Sequence, residues 1–190
     1  MKQLILGGAR SGKSSLAEQL AQSSEKTVIY IATADITNND CEMDRRIQHH
    51  QQRRPNHWQT IESPLHLAQA VQQQAAEDRC LLVDCLTLWL TNCLCHDDNN
   101  LWPQQRQALL DVIVEVPGDI ILVGNEIGSG IVPMGEINRR FVDESGFLHQ
   151  SLAVVCGRVI LTAAGLPLVL KGRALRGEKF NSKASQGEPL

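Results

Sequence analysis

The sequence has no long apolar run, no excess of basic residues and no Cys-x-x-Cys pair. Because a membrane helix needs about 20 successive apolar residues, the first absence argues against a membrane span. A net charge of −3 gives no overall basic field, which argues against nucleic acid as the main partner and leaves only local basic clusters. The Met1-Lys2 start leads directly into an apolar stretch and not into a signal peptide, so we expect a cytoplasmic protein.

The cysteines show no spacing typical of a zinc site. Most of them stand in apolar surroundings, where a thiol behaves as a small hydrophobic group. We therefore expect reduced core residues at all six positions, which are Cys41, Cys80, Cys85, Cys93, Cys95 and Cys156.

Short runs of Val, Ile and Leu alternate with amphipathic stretches along the chain. This pattern predicts an α/β fold with a mostly parallel sheet and helices on both faces. The chain, 190 residues with 43% hydrophobic content, suits one domain, and we expect it over residues 1–171, followed by a polar, mobile tail over 172–190. The predicted strands are Gln3–Leu6, Thr27–Ala32, Leu81–Asp84, Ile120–Gly124, Val159–Ala163 and Pro167–Leu170, the last two forming an antiparallel hairpin at one end of the sheet. The predicted helices are Ser14–Gln22, Met43–Arg53, Pro64–Ala76, Leu86–Leu94, Pro103–Val114 and Asn138–Val155.

A glycine-rich loop follows the first predicted strand and leads into the first predicted helix. Its glycines let successive N–H groups converge on a phosphate, Lys13 would neutralise β/γ oxygens, and Ser14 would hold Mg²⁺. A dinucleotide site fits less well, because Lys-Ser stands where such a site has a third glycine. The loop predicts nucleoside triphosphate binding through Gly7, Gly8, Ala9, Arg10, Ser11, Gly12, Lys13 and Ser14.

Polar residues also follow the other predicted strands, where parallel sheets bind their ligands. Thr33, Ala34 and Asp35 come after the second strand, and Asn125 begins a glycine-rich segment after the fourth. Asp84, at the end of the third, stands where such NTPases keep the acidic residue that meets Mg²⁺. The alternative role for Asp84 is to cap the helix that starts at Leu86, and the two roles are compatible.

The segment Asp44–Arg54, which covers most of the predicted helix Met43–Arg53, contains four arginines with the histidines His49 and His50, before Pro55. Adjacent helical residues point about 100° apart, so the two histidines cannot face one site. Arginines one turn from His49 would bind phosphate and keep the imidazole neutral and nucleophilic. From spacing alone, a solvated face or an RNA-contacting patch is the more common explanation of such an arginine-rich helix.

Six segments of the sequence, taken in order, favour the nucleophilic histidine over these alternatives. They are GGARSGKSS, YIATAD, RIQHHQQRRPNHWQTIE, LLVDCLTLWLTN, NEIGSGIVP and RRFVDESG. Together they closely resemble the bifunctional adenosylcobinamide kinase/adenosylcobinamide-phosphate guanylyltransferase family of cobalamin biosynthesis, over about residues 1–171. The chain departs from the family pattern at Phe147–Gln150, where an Asn-Gln pair is usual, and at Cys156-Gly157.

The resemblance implies a RecA-like P-loop domain that forms homotrimers and uses Mg²⁺ with GTP or ATP. It implies phosphorylation of adenosylcobinamide, then GMP transfer to adenosylcobinamide phosphate through a covalent histidine, which falls on His49. The nucleotide contacts it implies fall on the loop residues Gly7 to Ser14 and on Thr33, Ala34, Asp35, His50, Gln51, Gln52, Arg53, Glu62 and Asp84. The alternatives are a kinase of another small alcohol or nucleotide, and a nucleotide-regulated switch whose arginine-rich helix contacts RNA or protein.

Overall fold

The computed structural model of the chain describes residues 1–35, 55–131 and 134–175. Within these ranges the strands are β1 (Lys2–Gly7), β2 (Thr27–Ala32), β3 (Gln59–Glu62), β4 (Arg79–Asp84), β5 (Asp119–Asn125), β6 (Arg158–Ala163) and β7 (Leu166–Lys171). The helices are α1 (Lys13–Gln22), α2 (Leu67–Gln74), α3 (Leu86–Leu94), α4 (Leu101–Glu115) and α5 (Glu136–Val155).

All the strands belong to one sheet in the order β3-β2-β4-β5-β1-β6-β7. Every neighbouring pair is parallel except β6 and β7, which form an antiparallel hairpin at the sheet edge. The hairpin turns through Ala164 and Gly165, which both have positive φ, as a two-residue turn between twisted strands requires. β1 therefore lies inside the sheet, between β5 and β6.

Alternate residues of the central strands pack into two separate cores. On one face, Leu4, Val83 and Leu122 pack with helices α2 to α5, whose largest buried side chains are Trp89 and Trp102. On the other face, Ile5 and Val123 pack against α1 through Leu16 and Leu20. This arrangement buries the central strands on both sides, as their continuous apolar sequence predicts.

The predicted elements that fall within the described residues are confirmed within a few residues at each end, with one strand missed. β3 is short and mostly exposed, and its sequence QTIE has no apolar run to signal a strand. α2 starts at Leu67 and not at Pro64, and Leu65 just before it accepts a hydrogen bond from the Trp89 indole. The predicted helix Met43–Arg53 and residues 176–190 of the predicted tail lie outside the described residues.

The cysteines agree with the expectation of core thiols at four of the five described positions. Cys80, Cys85, Cys93 and Cys156 are buried and unpaired with one another. Burial raises the pKa of Cys93 to about 12 and that of the other three to about 11, which keeps these thiols neutral. Cys95 is exposed, because it caps the end of α3, and the expectation is wrong there. Cys41 lies outside the described residues.

None of the helices described is both long and apolar enough to cross a membrane.

Candidate nucleotide-binding site

The predicted site residues gather at the carboxyl edge of the parallel strands. Ala32 at the end of β2 is in register with Glu62 on one side and Asp84 on the other. Gly7 at the end of β1 is in register with Asn125 of β5. The loop, the acidic residues and the segment after β5 thus share one edge, where open α/β sheets bind their ligands.

The glycine-rich loop runs from Gly8 to Gly12, between the end of β1 and the start of α1. A Cβ on Gly7 would overlap the Ser11 side chain and come within 2.6 Å of the Thr162 carbonyl oxygen, so only glycine fits there. Gly12 has φ 94°, in the region that side chains with a Cβ rarely adopt. Both glycines are therefore required by the shape of the loop.

The start of α1 is suited to an anion. No side chain caps Gly12, and the first helical turn holds no acidic residue. Free N–H groups and the helix dipole favour a phosphate at such an end. The Lys13 ammonium, on the exposed side, donates to the Gly8 carbonyl oxygen over 3.2 Å, which keeps its charge over the loop.

Two backbone hydrogen bonds tie the loop to its neighbours. The Gly165 N–H in the β6–β7 turn donates to the Ser11 carbonyl oxygen over 2.9 Å. The Glu126 N–H, just after β5, donates to the Gly7 carbonyl oxygen over 3.1 Å. Both ends of the loop are thus fixed by strands that come much later in the chain.

Asp84 ends β4 and accepts a hydrogen bond from the Tyr30 hydroxyl over 3.1 Å at Oδ2. The cap residue of the following helix α3 is Cys85, and not Asp84. The carboxylate of Asp84 is half-buried at the edge where the loop lies. This geometry favours the metal-facing interpretation of Asp84 over the helix-capping one.

Ser14 and Asp84 offer a hydroxyl and a carboxylate, which are the hard oxygen ligands that Mg²⁺ prefers. Among the residues described, no cluster of three or more His, Cys, Asp and Glu side chains could hold a metal. Mg²⁺ at nucleotide sites takes one or two protein ligands and completes its shell with water and phosphate oxygens. The donor set at this edge therefore fits a nucleotide-borne magnesium ion.

Thr33 is fully buried, and its hydroxyl exchanges hydrogen bonds with the backbone of Cys85. Its carbonyl oxygen accepts from the side chain of Asn92 over 2.8 Å. Ala34 and Asp35 are half-buried at the same edge, and Glu62 is exposed at the end of β3. The hydrogen bonds of Thr33 thus lie inside the protein, whereas Ala34, Asp35 and Glu62 are partly or fully accessible at this edge.

His49, His50, Gln51, Gln52 and Arg53 lie outside the described residues. The described chain stops at Asp35, beside the end of β2, and resumes at Pro55. Pro55 lies against α1, where it lines a shallow groove with Ser15 and Gln19.

Sequence reasoning gave no role to three groups at this edge. Tyr30 bonds to Asp84 from the neighbouring strand, which only the strand register reveals. The Glu126 carboxylate accepts from the N–H groups of Gly128 and Ser129, at 2.9 and 3.3 Å, and so shapes the segment after β5. Asn125 has a buried side-chain oxygen, and the sequence NEIGSG was its signal.

A parallel sheet whose first strand leads through this loop into α1 defines a P-loop nucleotide-binding protein. In fold, the chain is similar to the ATPase EscN of the enteropathogenic E. coli type III secretion system, with a TM-score of 0.58, 11% identity and coverage of 92% of this chain and 47% of that one. It is also similar to the RadB recombinase, with a TM-score of 0.50, 16% identity and coverage of 90% and 81%. Residues 3–170 match the cobinamide kinase / cobinamide phosphate guanyltransferase family, and the chain belongs to this enzyme family.

Two relatives are named as bifunctional proteins of adenosylcobalamin biosynthesis. The chain is 58% identical over 175 residues to the bifunctional adenosylcobalamin biosynthesis protein CobP of Pseudomonas aeruginosa, covering 92% of this chain and all of that protein. It is 37% identical over 181 residues to the bifunctional protein CobU of Escherichia coli K12, covering 88% and 98%. The family resemblance and the P-loop fold expected from the sequence are thereby confirmed.

Proposed function

We propose that this chain phosphorylates adenosylcobinamide on its aminopropanol hydroxyl and then transfers GMP from GTP to the product, giving adenosylcobinamide-GDP. The observation that carries the proposal is the family match over residues 3–170, because it spans the phosphate loop and the histidine-arginine segment together. Both relatives are called bifunctional, which supports two activities in one chain.

In the first step, the loop and Lys13 hold the triphosphate at the start of α1. The substrate hydroxyl oxygen forms a bond to the γ-phosphorus, and the bond from that phosphorus to the β–γ bridging oxygen breaks. The electron pair stays on the departing nucleoside diphosphate, and the hydroxyl proton goes to a phosphate oxygen. Lys13 favours this step because it offsets negative charge on the β/γ oxygens. Either ATP or GTP suits these contacts.

In the second step, His49 carries GMP. A neutral imidazole nitrogen attacks the α-phosphorus of GTP, and pyrophosphate leaves with the bridging electron pair. A phosphate oxygen of adenosylcobinamide phosphate then attacks the same phosphorus, and the P–N bond breaks. The P–N bond suits a carrier because it is labile enough to be passed on. Arg45, Arg46 and Arg53, at helical spacing from His49 in the sequence, would hold the phosphates, and His50 would assist binding only.

Mg²⁺ is the cofactor we propose, held by the Ser14 hydroxyl and the Asp84 carboxylate together with the nucleotide. When bound, it would stabilise the charge that develops on the leaving diphosphate or pyrophosphate. The hydrogen bond from Tyr30 orients the Asp84 carboxylate for this purpose.

We further propose a cytoplasmic homotrimer. An exposed apolar row on the edge strand β7 supports assembly, because Leu166, Leu168 and Leu170 are each more than half exposed and share one face of the strand. Phe147 and Val154 on α5 add two more exposed apolar side chains. A second copy of the chain is the partner that would cover such a row.

One incubation tests both activities. The purified protein is given GTP labelled at the α-phosphate, with and without adenosylcobinamide phosphate. We expect a covalent label on the protein that disappears, with formation of labelled adenosylcobinamide-GDP, when the corrinoid is added. A parallel reaction with γ-labelled nucleotide and adenosylcobinamide should give labelled adenosylcobinamide phosphate.

The two alternatives predict other outcomes. A kinase of another small alcohol would leave the protein unlabelled by α-labelled GTP and would not phosphorylate adenosylcobinamide. A nucleotide-regulated switch would bind GTP but turn over neither corrinoid. Either result would contradict the proposal.

A further inference from the structure

Three side chains form a row beneath the phosphate loop. Gly7 is in register with Asn125 on one side and Thr162 on the other. Because residues in register on parallel strands project to the same face, Asn125 and Thr162 flank Gly7 on the face that α1 covers. Ser11 lies directly above Gly7, where a Cβ would overlap its hydroxyl group.

Each member of this row has a buried oxygen that lacks a hydrogen-bond partner in the described parts of the chain. These atoms are Oδ1 of Asn125, Oγ of Ser11 and Oγ1 of Thr162. Buried polar atoms nearly always have partners, because leaving one unpaired costs free energy. A row of three at the phosphate loop therefore indicates that a bound molecule completes their hydrogen bonding.

Asn125 has the best position of the three for chemistry. It ends β5, which lies between β1, with its phosphate loop, and β4, which ends in Asp84. Its backbone is fixed, since its N–H donates to the Thr87 hydroxyl over 2.8 Å and the next N–H donates to Gly7. Asn125 is thus placed between the strand that leads into the phosphate loop and the strand that ends in Asp84.

The chemistry of the Asn125 Oδ1 atom limits which chemical groups can bind to it. An amide oxygen accepts hydrogen bonds and cannot donate one. Phosphate oxygens that carry negative charge are acceptors too, so they cannot satisfy it. The partner must be an O–H or N–H donor that lies beside the γ-phosphate, and the phosphoryl acceptor brings such a hydroxyl to this place.

We propose that Oδ1 of Asn125 binds the hydroxyl of the phosphoryl acceptor and aligns its oxygen with the γ-phosphorus. This role rests on the proposed kinase step and deepens it. The acceptor oxygen forms the new bond to phosphorus while the bond to the β–γ bridging oxygen breaks, and the nucleoside diphosphate keeps the electron pair. The hydroxyl proton, directed at Oδ1 beforehand, goes to a phosphate oxygen, because an amide is too weak a base to keep it.

This role of Asn125 predicts that the two activities of the chain respond differently to loss of its side chain. In guanylyl transfer the attacking groups are His49 and then a corrinoid phosphate, and neither presents a hydroxyl to be aligned. Removing the Asn125 amide should therefore slow phosphoryl transfer and spare guanylyl transfer.

The test compares Asn125→Ala and Asn125→Asp with the unsubstituted protein. For Asn125→Ala we expect kcat for adenosylcobinamide phosphorylation to fall about 10²-fold, the cost typical of a misaligned reactant, with the nucleotide KM little changed. The rate of guanylyl transfer to preformed adenosylcobinamide phosphate should stay within about threefold of the rate of the unsubstituted protein. A misaligned reactant would lower the rate by more than that. Asn125→Asp keeps an acceptor oxygen and should retain more of kcat, at a raised nucleotide KM because of its charge.

Asn138→Ala is the matched control, since the side chain of this exposed asparagine donates to the nearby Met134 carbonyl oxygen, away from Asn125, and its loss should leave both activities intact. Equal loss of both activities in Asn125→Ala, or loss of neither, would overturn the inference. If the unsubstituted protein phosphorylates no adenosylcobinamide, the proposed function fails instead. Asn125 is then tested by nucleotide hydrolysis, where water supplies the hydroxyl, and an unchanged rate in Asn125→Ala would reject its role.

Discussion

Thr33 and Cys85 exchange two hydrogen bonds across the carboxyl ends of β2 and β4. The Thr33 hydroxyl accepts from the Cys85 N–H over 2.9 Å and donates to the Cys85 carbonyl oxygen over 2.7 Å. One fully buried side chain thus satisfies both backbone groups of the residue after Asp84. This pairing fixes the point where β4 passes into α3.

Replacing Thr33 with Val should therefore destabilise the fold. The change keeps the shape but leaves the Cys85 N–H unpaired and its carbonyl oxygen with the Trp89 N–H as its remaining donor. We expect the free energy of unfolding to drop by about 1–3 kcal/mol. Urea unfolding measures the change, and Thr33→Ser, which retains the hydroxyl, is the control. Equal stability of Thr33→Val and the unsubstituted protein would show that the pairing contributes nothing.

Lys13→Ala should abolish both activities, because both require a triphosphate in the same loop. We expect losses of about 10²–10³-fold or more in each rate, as for removal of a preorganised charge at a phosphate. The control is Lys26→Ala, which removes a lysine paired with Asp119 away from the loop. Near-normal guanylylation in Lys13→Ala would mean that the second step uses another nucleotide site.

Asp84→Asn should lower both rates and weaken their dependence on magnesium concentration, without unfolding the protein. The substitution keeps the shape and an oxygen that can accept from Tyr30, and removes only the charge. The measurements are the activity of Asp84→Asn as a function of magnesium concentration and its thermal unfolding. Tyr30→Phe is the companion variant: it keeps the carboxylate, so it should shift the magnesium dependence less. A collapse of stability with normal activity per folded molecule would assign Asp84 a structural role.

His49→Ala should eliminate covalent GMP labelling and transfer to the phosphorylated corrinoid, while part of the kinase step survives. His50→Ala should keep the label, since adjacent residues of the helix predicted from the sequence over Met43–Arg53 point about 100° apart. The label itself should be labile in acid and stable in base, as a P–N bond to imidazole is. If only His50→Ala loses the label, the carrier is His50, and a label that persists in both variants would reject a covalent histidine at either position.

The stability of the protein should depend on pH through His149. Burial lowers the pKa of this side chain, and the Glu126 carboxylate raises it by a smaller amount. The unfolded chain, with the ordinary value of 6.5, therefore binds more protons than the folded chain below that pH. The stabilising contribution is complete above pH 6.5 and is lost as the pH falls towards the folded value.

The measurement is urea unfolding of the unsubstituted protein and of His149→Asn at several pH values between pH 5 and 8. This range of about three units spans the ordinary histidine pKa, so it isolates the contribution of His149. As the pH falls, the free energy of unfolding of the unsubstituted protein should decrease relative to that of His149→Asn. The other histidines cancel in the difference. A difference that does not vary with pH would contradict the assignment.

The sequence predicted the buried strands and the phosphate loop because each has a local cause. Continuous apolar runs marked β1, β2, β4 and β5, and glycine spacing marked the loop. β3 could not be predicted in this way, since its four residues owe their strand conformation to pairing with β2. The same reason hid the bond between Tyr30 and Asp84 and the alignment of Asn125 with Gly7, which depend on register between distant segments.

The contact between Gly165 and Ser11 has a consequence for the order of events during synthesis. The phosphate loop is complete in sequence by residue 14, yet β1 has neighbours on both sides only after β5 and β6 exist. The loop receives its last described backbone bond from the β6–β7 turn. A ribosome must therefore deliver nearly the whole domain before the first loop is held in its final shape, so growing chains should acquire nucleotide affinity late and abruptly.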